Sequence, residues 1–323
     1  TAWCWGSNAN GQLGDNSTST SSRVPVRVRT SSTNAGPLTG IAQLVAGNAH
    51  ACAALTDGTL RCWGANSYGQ LGNNTTTTAN GRTAAPVVVY AAAGSTTALA
   101  NVGSVAAGGN TTCALLGSGA VLCWGLNSNG QLGDGTTKAK SYPVAPSGLP
   151  QTATEIAVGG AHACAELTGG TNGTMRCWGL ASSGQLGNGT LATTQSTTPV
   201  TVYATGTATT TPSNPLTGVV GIAAGTTHTC ALVGTALHCW GLAASGQLGI
   251  ARTTPNQSNP VAVSDGTSAG GLAIGVPLRF ACGGSHTLAV TGGVIAAWGL
   301  NDQGQLGDTT KTNRSVPFRV IGF

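Results

Sequence analysis

The sequence predicts an all-β protein built by radial repetition: a β-propeller of about six blades, each of four short antiparallel strands. Three observations lead there. Gly-Gln-Leu-Gly occurs six times, at Gly11–Gly14, Gly69–Gly72, Gly130–Gly133, Gly184–Gly187, Gly246–Gly249 and Gly304–Gly307. A Trp-Gly pair stands ahead of each copy, at Trp5, Trp63, Trp124, Trp178, Trp240 and Trp298, and the tryptophans are spaced 58, 61, 54, 62 and 58 residues apart. No window carries a sustained 3.6-residue hydrophobic period, so helices are absent or minor. A fixed period of this length marks a repeat architecture, and short strands in each period point to propeller blades.

Each strand of the unit has its own signal. The first is a short apolar segment such as Ile41–Val45. The second is a block that recurs before five of the six tryptophans, at Val45–Leu55, Ala106–Leu116, Val158–Leu167, Ala223–Leu232 and Ala281–Val290. The third is the segment that runs into Trp-Gly. Turn residues such as Thr56-Asp57-Gly58, Gly117-Ser118-Gly119 and Thr168–Gly173 separate the second and third strands, which is a hairpin pattern. The fourth is a proline-valine strand: Val24–Val28, Pro86–Val89, Pro143-Val144, Pro199–Val202, Pro260–Val263 and Val316–Val320. One tryptophan per blade supplies the large apolar wedge. The units are expected to form one domain over 1–323. The first begins in mid-blade, with no second strand before Trp5, and the last stops before another would start. The chain is then either part of something longer or a propeller with one blade incomplete or closed from both termini.

Composition narrows the function. Of 323 residues 7% are charged, 4% are aromatic and 40% are hydrophobic, with 51 glycines and a net charge of +5. Charge-driven disorder does not fit so apolar a chain. The positive charge is thin and has no basic run, which argues against nucleic acid. No apolar stretch reaches the roughly 18 residues of a membrane span, so no membrane insertion is expected.

Eight of ten cysteines occupy two repeat positions in pairs: Cys52 with Cys62, Cys113 with Cys123, Cys164 with Cys177, and Cys230 with Cys239. On a hairpin each pair faces across the strands at disulfide distance. Zinc ligation lacks a C-x-x-C and a histidine spaced for both sulfurs. In the fifth block both positions change together, to Leu288 and Ala297, as a bonded pair would. Four disulfides are therefore expected, each closing a loop of about ten residues worth about 2–3 kcal/mol. They imply an oxidising compartment, hence an extracellular or cell-surface location. Cys4 and Cys282 remain. They either clasp neighbouring blades together, or Cys4 has its true partner outside the sequence.

Leu122–Gly133, L-C-W-G-L-N-S-N-G-Q-L-G, resembles the core of the RCC1 repeat family (regulator of chromosome condensation type propellers), and the likeness extends over nearly the whole chain. The resemblance implies the propeller fold and, with the cysteines, a secreted, disulfide-bearing bacterial-type member. It implies protein binding rather than a chemistry, since family members include an exchange factor, ligase domains and secreted bacterial proteins, one of them an enzyme inhibitor. It also implies a hydrogen-bonded structural role for His50, His162, His228 and His286, which share one repeat position with Thr111; a central metal ring is the competing reading. His238 lies off that position and is expected to be exposed.

Asp15, Asp57, Asp134, Glu155, Glu166, Asp265, Asp302 and Asp308 are too scattered for a carboxylate pair. Asp15, Asp134 and Asp308 follow Gly-Gln-Leu-Gly, where Asn73 and Asn188 stand in other units, which is turn chemistry. There is no G-x-S-x-G elbow and no P-loop. No catalytic residue, cofactor or metal is expected. Thr75–Arg82, Leu191–Pro215 and Ala251–Leu272 read equally as a solvated surface or a binding rim. Formal glycosylation sequons at Asn16, Asn73, Asn74, Asn110, Asn172, Asn188, Asn256 and Asn313 are the chance product of a chain rich in Asn and Thr. The expected function is an extracellular, non-enzymatic binding or adhesion module with a protein or surface-glycan partner. A filament or surface-layer subunit that self-assembles through an open blade edge is the second reading, and a secreted enzyme inhibitor the third.

Overall fold

The computed structural model describes residues 1–17, 19–33, 36–76, 82–149, 152–168, 173–191, 194–205, 214–264 and 279–322. Among them the chain is all-β, without a helix. It forms two compact units, Thr1–Val158 and Gly159–Phe323.

The first unit opens with a two-stranded sheet, β1 (Trp3–Ser7) against β2 (Ser21–Arg27). Two four-stranded antiparallel sheets follow in sequence order: β3 (Ile41–Ala46), β4 (His50–Leu55), β5 (Leu60–Ala65) and β6 (Arg82–Val88), then β7 (Val102–Gly108), β8 (Thr111–Leu116), β9 (Val121–Gly125) and β10 (Lys140–Val144). β11 (Ala153–Val158) ends the unit. In the second unit β12 (His162–Leu167), β13 (Thr174–Leu180) and β14 (Gln195–Thr201) share a sheet, followed by a small ribbon, β15 (Tyr203–Thr205) and β16 (Asn214–Pro215). Two four-stranded sheets complete it: β17 (Val219–Ala224), β18 (His228–Val233), β19 (Ala236–Gly241) and β20 (Gln257–Ala262), then β21 (Arg279–Cys282), β22 (His286–Thr291), β23 (Val294–Gly299) and β24 (Arg314–Arg319).

The strands fall where the repeat signals place them. Each Trp-Gly pair lies on the strand before the proline strand, namely β1, β5, β9, β13, β19 and β23. The register shifts at that pair, between Cys62 and Gly64 and again between Cys177 and Gly179, Cys239 and Gly241, and Ala297 and Gly299. The glycine takes up the bulge at φ near +106°, in Gly64 as in Gly241. The first Trp-Gly strand and its proline strand pair with each other in the two-stranded sheet.

All four expected disulfides are present: Cys52–Cys62, Cys113–Cys123, Cys164–Cys177 and Cys230–Cys239. Each joins residues directly opposite in the hairpin. Leu288 faces Ala297 at the same position of β22 and β23. The core of each unit is built from these bridges with the tryptophans and the motif leucines; Trp63, Trp124, Trp178, Trp240 and Trp298 are wholly buried, as are Leu71, Leu132, Leu186 and Leu248.

The clasp between Cys4 and Cys282 is not made, and both are free thiols. Cys282 packs within its own unit against the cluster that holds Cys230 and Cys239, in hydrogen-bond contact with Thr287. Burial pushes its thiol up to about 12. Cys4 stands on β1, where burial first and the Asp15 carboxylate second raise its thiol.

Candidate functional site

Within each unit the repeat motif joins one sheet to the next. The Gln12 carbonyl accepts a hydrogen bond from Trp63 Nε1 and the Gln70 carbonyl one from Trp124 Nε1, both at 3.0 Å. In the second unit Trp240 donates to Gln185 and Trp298 to Gln247, again at 3.0 Å. The second glycine of the motif lets the indole in. A Cβ on Gly14, Gly72, Gly187 or Gly249 would lie only 2.7 or 2.8 Å from that indole nitrogen. Gly-Gln-Leu-Gly is thus a latch between sheets.

The asparagine three residues after the tryptophan holds the latch in shape, a role that the sequence reading did not assign. Oδ1 of Asn66, Asn127 and Asn301 accepts the amide proton of Leu71, Leu132 and Leu306 at 3.2, 2.9 and 2.9 Å. Their Nδ2 groups donate to Asn73, Asp134 and Asp308 at 3.2, 3.1 and 2.9 Å. The turn chemistry expected after Gly-Gln-Leu-Gly is therefore half of a two-sided clamp. Its signal was the Asn in the motif core, which Ala181 and Ala243 replace in two units.

The histidines take a structural position. His50 Nε2 lies 2.9 Å from Thr112 Oγ1, and that hydroxyl donates to the Gln70 carbonyl at 2.9 Å. The same relay runs from His162 through Thr229 to Gln185, and from His228 through Thr287 to Gln247. Because each hydroxyl proton goes to a carbonyl, the oxygen accepts from Nε2–H, which fixes the neutral tautomer. Burial lowers His50 and His162 to about 4 and His228 to about 3, where His162 and His286 add a smaller repulsion. A base that stays neutral and buried this far below pH 7 is not tuned for proton transfer. Thr111, at the equivalent position, donates instead to the Leu126 carbonyl at 3.0 Å. His286 and His238 are half-buried, and His238, expected to be exposed, is held by a 3.2 Å bond to the Ala236 carbonyl.

Several of the aspartates serve turns. Asp57 caps Thr59, and Asp134 accepts from Thr136 N and Oγ1 at 3.0 and 2.7 Å. Asp308 is buried; desolvation works to raise it, but bonds from Thr310, Arg314 and Asn301 outweigh that and hold it down at about 2. Its ion pair with Arg314 is 2.7 Å. Asp265, Asn172, the turn 169–172, and the loop stretches 77–81, 192–193, 206–213 and 265–272 lie outside the described residues.

One aromatic face departs from the pattern. Trp5 is 65% exposed and Trp3 46%, whereas the other five repeat tryptophans are fully buried. The Cβ position of Gly6 meets nothing within 4 Å, while that of Gly64 meets the Ala49 carbonyl at 2.5 Å. Trp5, with Cys4, Ser7 and Gln12, lines a cleft of about 300 Å³ whose other wall is Leu44–Ala51. Leu44 is 45% exposed, and Arg27 stacks on Trp3 with its guanidinium 4.8 Å from the ring centre.

Comparison with known proteins gives a consistent family. Models of the Regulator of chromosome condensation (RCC1) repeat match residues 1–54, 57–115, 118–165, 172–232 and 293–323, and a second such model matches 41–70 and 103–131. The Arabidopsis thaliana Ultraviolet-B receptor UVR8 is 29% identical over 285 residues, 86% of this chain and 57% of its own. The Homo sapiens Probable E3 ubiquitin-protein ligase HERC3 is 33% identical over 228 residues, 67% of this chain but 19% of its own. Among solved structures, human WBSCR16 superposes with a TM-score of 0.78 at 23% identity, covering 98% of this chain and 75% of that one. Yeast RCC1 (Prp20) bound to Kap60 gives 0.73 at 20% identity, with 98% and 70% covered.

Proposed function

Because the chain belongs to the regulator of chromosome condensation (RCC1) repeat family, we propose that it is a non-enzymatic, protein-binding propeller exported to an oxidising compartment. The observation that carries this reading is where the polar groups of the repeat are engaged. Asn, Gln, Thr and three of the His side chains hold sheets and turns together. A rigid scaffold of this kind presents surface rather than chemistry. The yeast relative captured with Kap60 supports a protein as the partner class. Adhesion to another cell surface is the specific form of binding we favour, and the cleft beside Trp5 is the contact surface, since exposed tryptophans dominate interface energetics.

The test is saturable binding of the purified chain to candidate cell surfaces, compared with Trp5→Ala and Leu44→Glu. Loss of one tryptophan anchor worth about 2 kcal/mol weakens binding about 30-fold. Absence of saturable binding, or equal binding by both variants, refutes the reading. Export rests on the four bridges: protein from its native source carries them oxidised, and a mass unchanged by reductant argues against an oxidising compartment.

A further inference from the structure

Cys282 has neighbours that the propeller pattern does not explain. Its sulfur, the Cys230 sulfur and a ring nitrogen of His228 all lie within 4.8 Å of one another. Cys230 belongs to β18 and is bonded to Cys239 on β19, whereas Cys282 is the last residue of β21 in the next sheet. Four residues before the histidine or its substitute, the other sheets carry Ala46, Ala107, Val158 and Ala224. A thiol at this position is peculiar to the sheet that has Leu288 and Ala297 in place of its own bridge. This sheet, which has no bridge of its own, thus sets a sulfur beside the disulfide of its neighbour.

We propose that Cys230 has two alternative bonding partners, Cys239 across its own hairpin and Cys282 on the adjacent sheet, so that thiol–disulfide exchange relocates the bridge. The Cys282 thiolate attacks the Cys230 sulfur and the Cys230–Cys239 bond breaks. Cys239 leaves as a thiolate and takes up the proton that Cys282 released. The number of disulfides is unchanged and no external oxidant or reductant is required. The product trades a pin within one hairpin for a staple from β18 to β21. Two features keep the resting protein in the hairpin form. Cys230 and Cys239 are directly opposed in register, and desolvation keeps the half-buried Cys282 protonated at neutral pH. The same burial makes the exchange respond to anything that opens this face of the sheet or deprotonates the thiol.

Two experiments test this. In Cys239→Ser, with the three other bridges intact, oxidised glutathione is added and peptides are mapped without reduction. The expected product is a Cys230–Cys282 disulfide, and adding Cys282→Ser leaves Cys230 glutathionylated instead. A Cys239→Ser protein in which Cys230 carries glutathione while Cys282 still reacts with iodoacetamide overturns the proposal. The second experiment uses the wild-type chain and does not depend on that variant folding. Iodoacetamide trapping of Cys239 is followed from pH 8 to pH 10, where the thiolate fraction rises about tenfold per unit below the thiol's pKa. Trapping of Cys239 rises accordingly, and Cys282→Ser abolishes it. Equal trapping with and without Cys282 overturns the proposal.

Discussion

Replacing Gly72 by alanine isolates the energy of the latch between sheets. Gly72 has φ +67°, and an added Cβ would lie 2.8 Å from Trp124 Nε1, 2.9 Å from Val89 Cγ1 and 3.0 Å from Trp124 Cε2. The left-handed backbone costs a non-glycine residue about 1 kcal/mol. Forcing the indole aside adds about 1–3 kcal/mol of overpacking strain. Losing its bond to the Gln70 carbonyl costs about 1 kcal/mol more. The expected destabilisation is about 3–5 kcal/mol. Gly94 supplies the control, because it has φ +66° and nothing within 4 Å of its Cβ position. Gly94→Ala therefore carries the backbone cost alone, about 1 kcal/mol. Guanidinium unfolding followed by tryptophan fluorescence should separate the two variants by about 2–4 kcal/mol. A separation under about 0.5 kcal/mol would mean that the indole yields without cost and that the motif glycines are kept for their backbone angle alone.

The hydrogen-bond network between sheets can be probed at other points. Thr112→Val removes the hydroxyl between His50 and Gln70 and strands a buried ring N–H, for a loss of about 1–3 kcal/mol measured by chemical unfolding. Thr112→Ser, which keeps the hydroxyl, should retain most of that stability. Acid should act through the histidines. Their folded values of about 4, 4 and 3 lie below the unfolded value near 6.5. The unfolded state therefore binds more protons, and stability is complete above about pH 6.5 and falls as pH drops toward 4. A melting temperature flat from pH 7 to 4.5 contradicts that. Asp308→Ala leaves the Asn301 amide and the Arg314 guanidinium without their shared acceptor, and should cost about 1–3 kcal/mol by the same unfolding measurement. Trp5→Ala should cost far less stability than Trp124→Ala, for which about 3–5 kcal/mol is expected, because Trp5 is largely exposed.

What could be read in the sequence was what is local. Cys52 and Cys62 sit ten residues apart around one turn, so alternation and spacing alone place them opposite each other. The same reasoning gave the strands, the Trp-Gly positions and the proline strands, because each depends on residues within one hairpin. The contacts between sheets were not legible in this way. Trp124 meets Gln70 across 54 positions and His50 meets Thr112 across 62. A repeat shows that such positions recur but not which atoms face each other, since that depends on how one sheet packs on the next. The pair Cys4 and Cys282 illustrates the difference. Counting marked both as unpaired, but only packing set Cys282 beside Cys230. The sequence by itself determined the repeat, its strands and four covalent bridges, because those are fixed by short-range geometry. The tertiary structure decided that the histidines are neutral struts, that the motif is a latch, and that Trp5 faces solvent, because burial and long-range hydrogen bonding exist only once the sheets are packed.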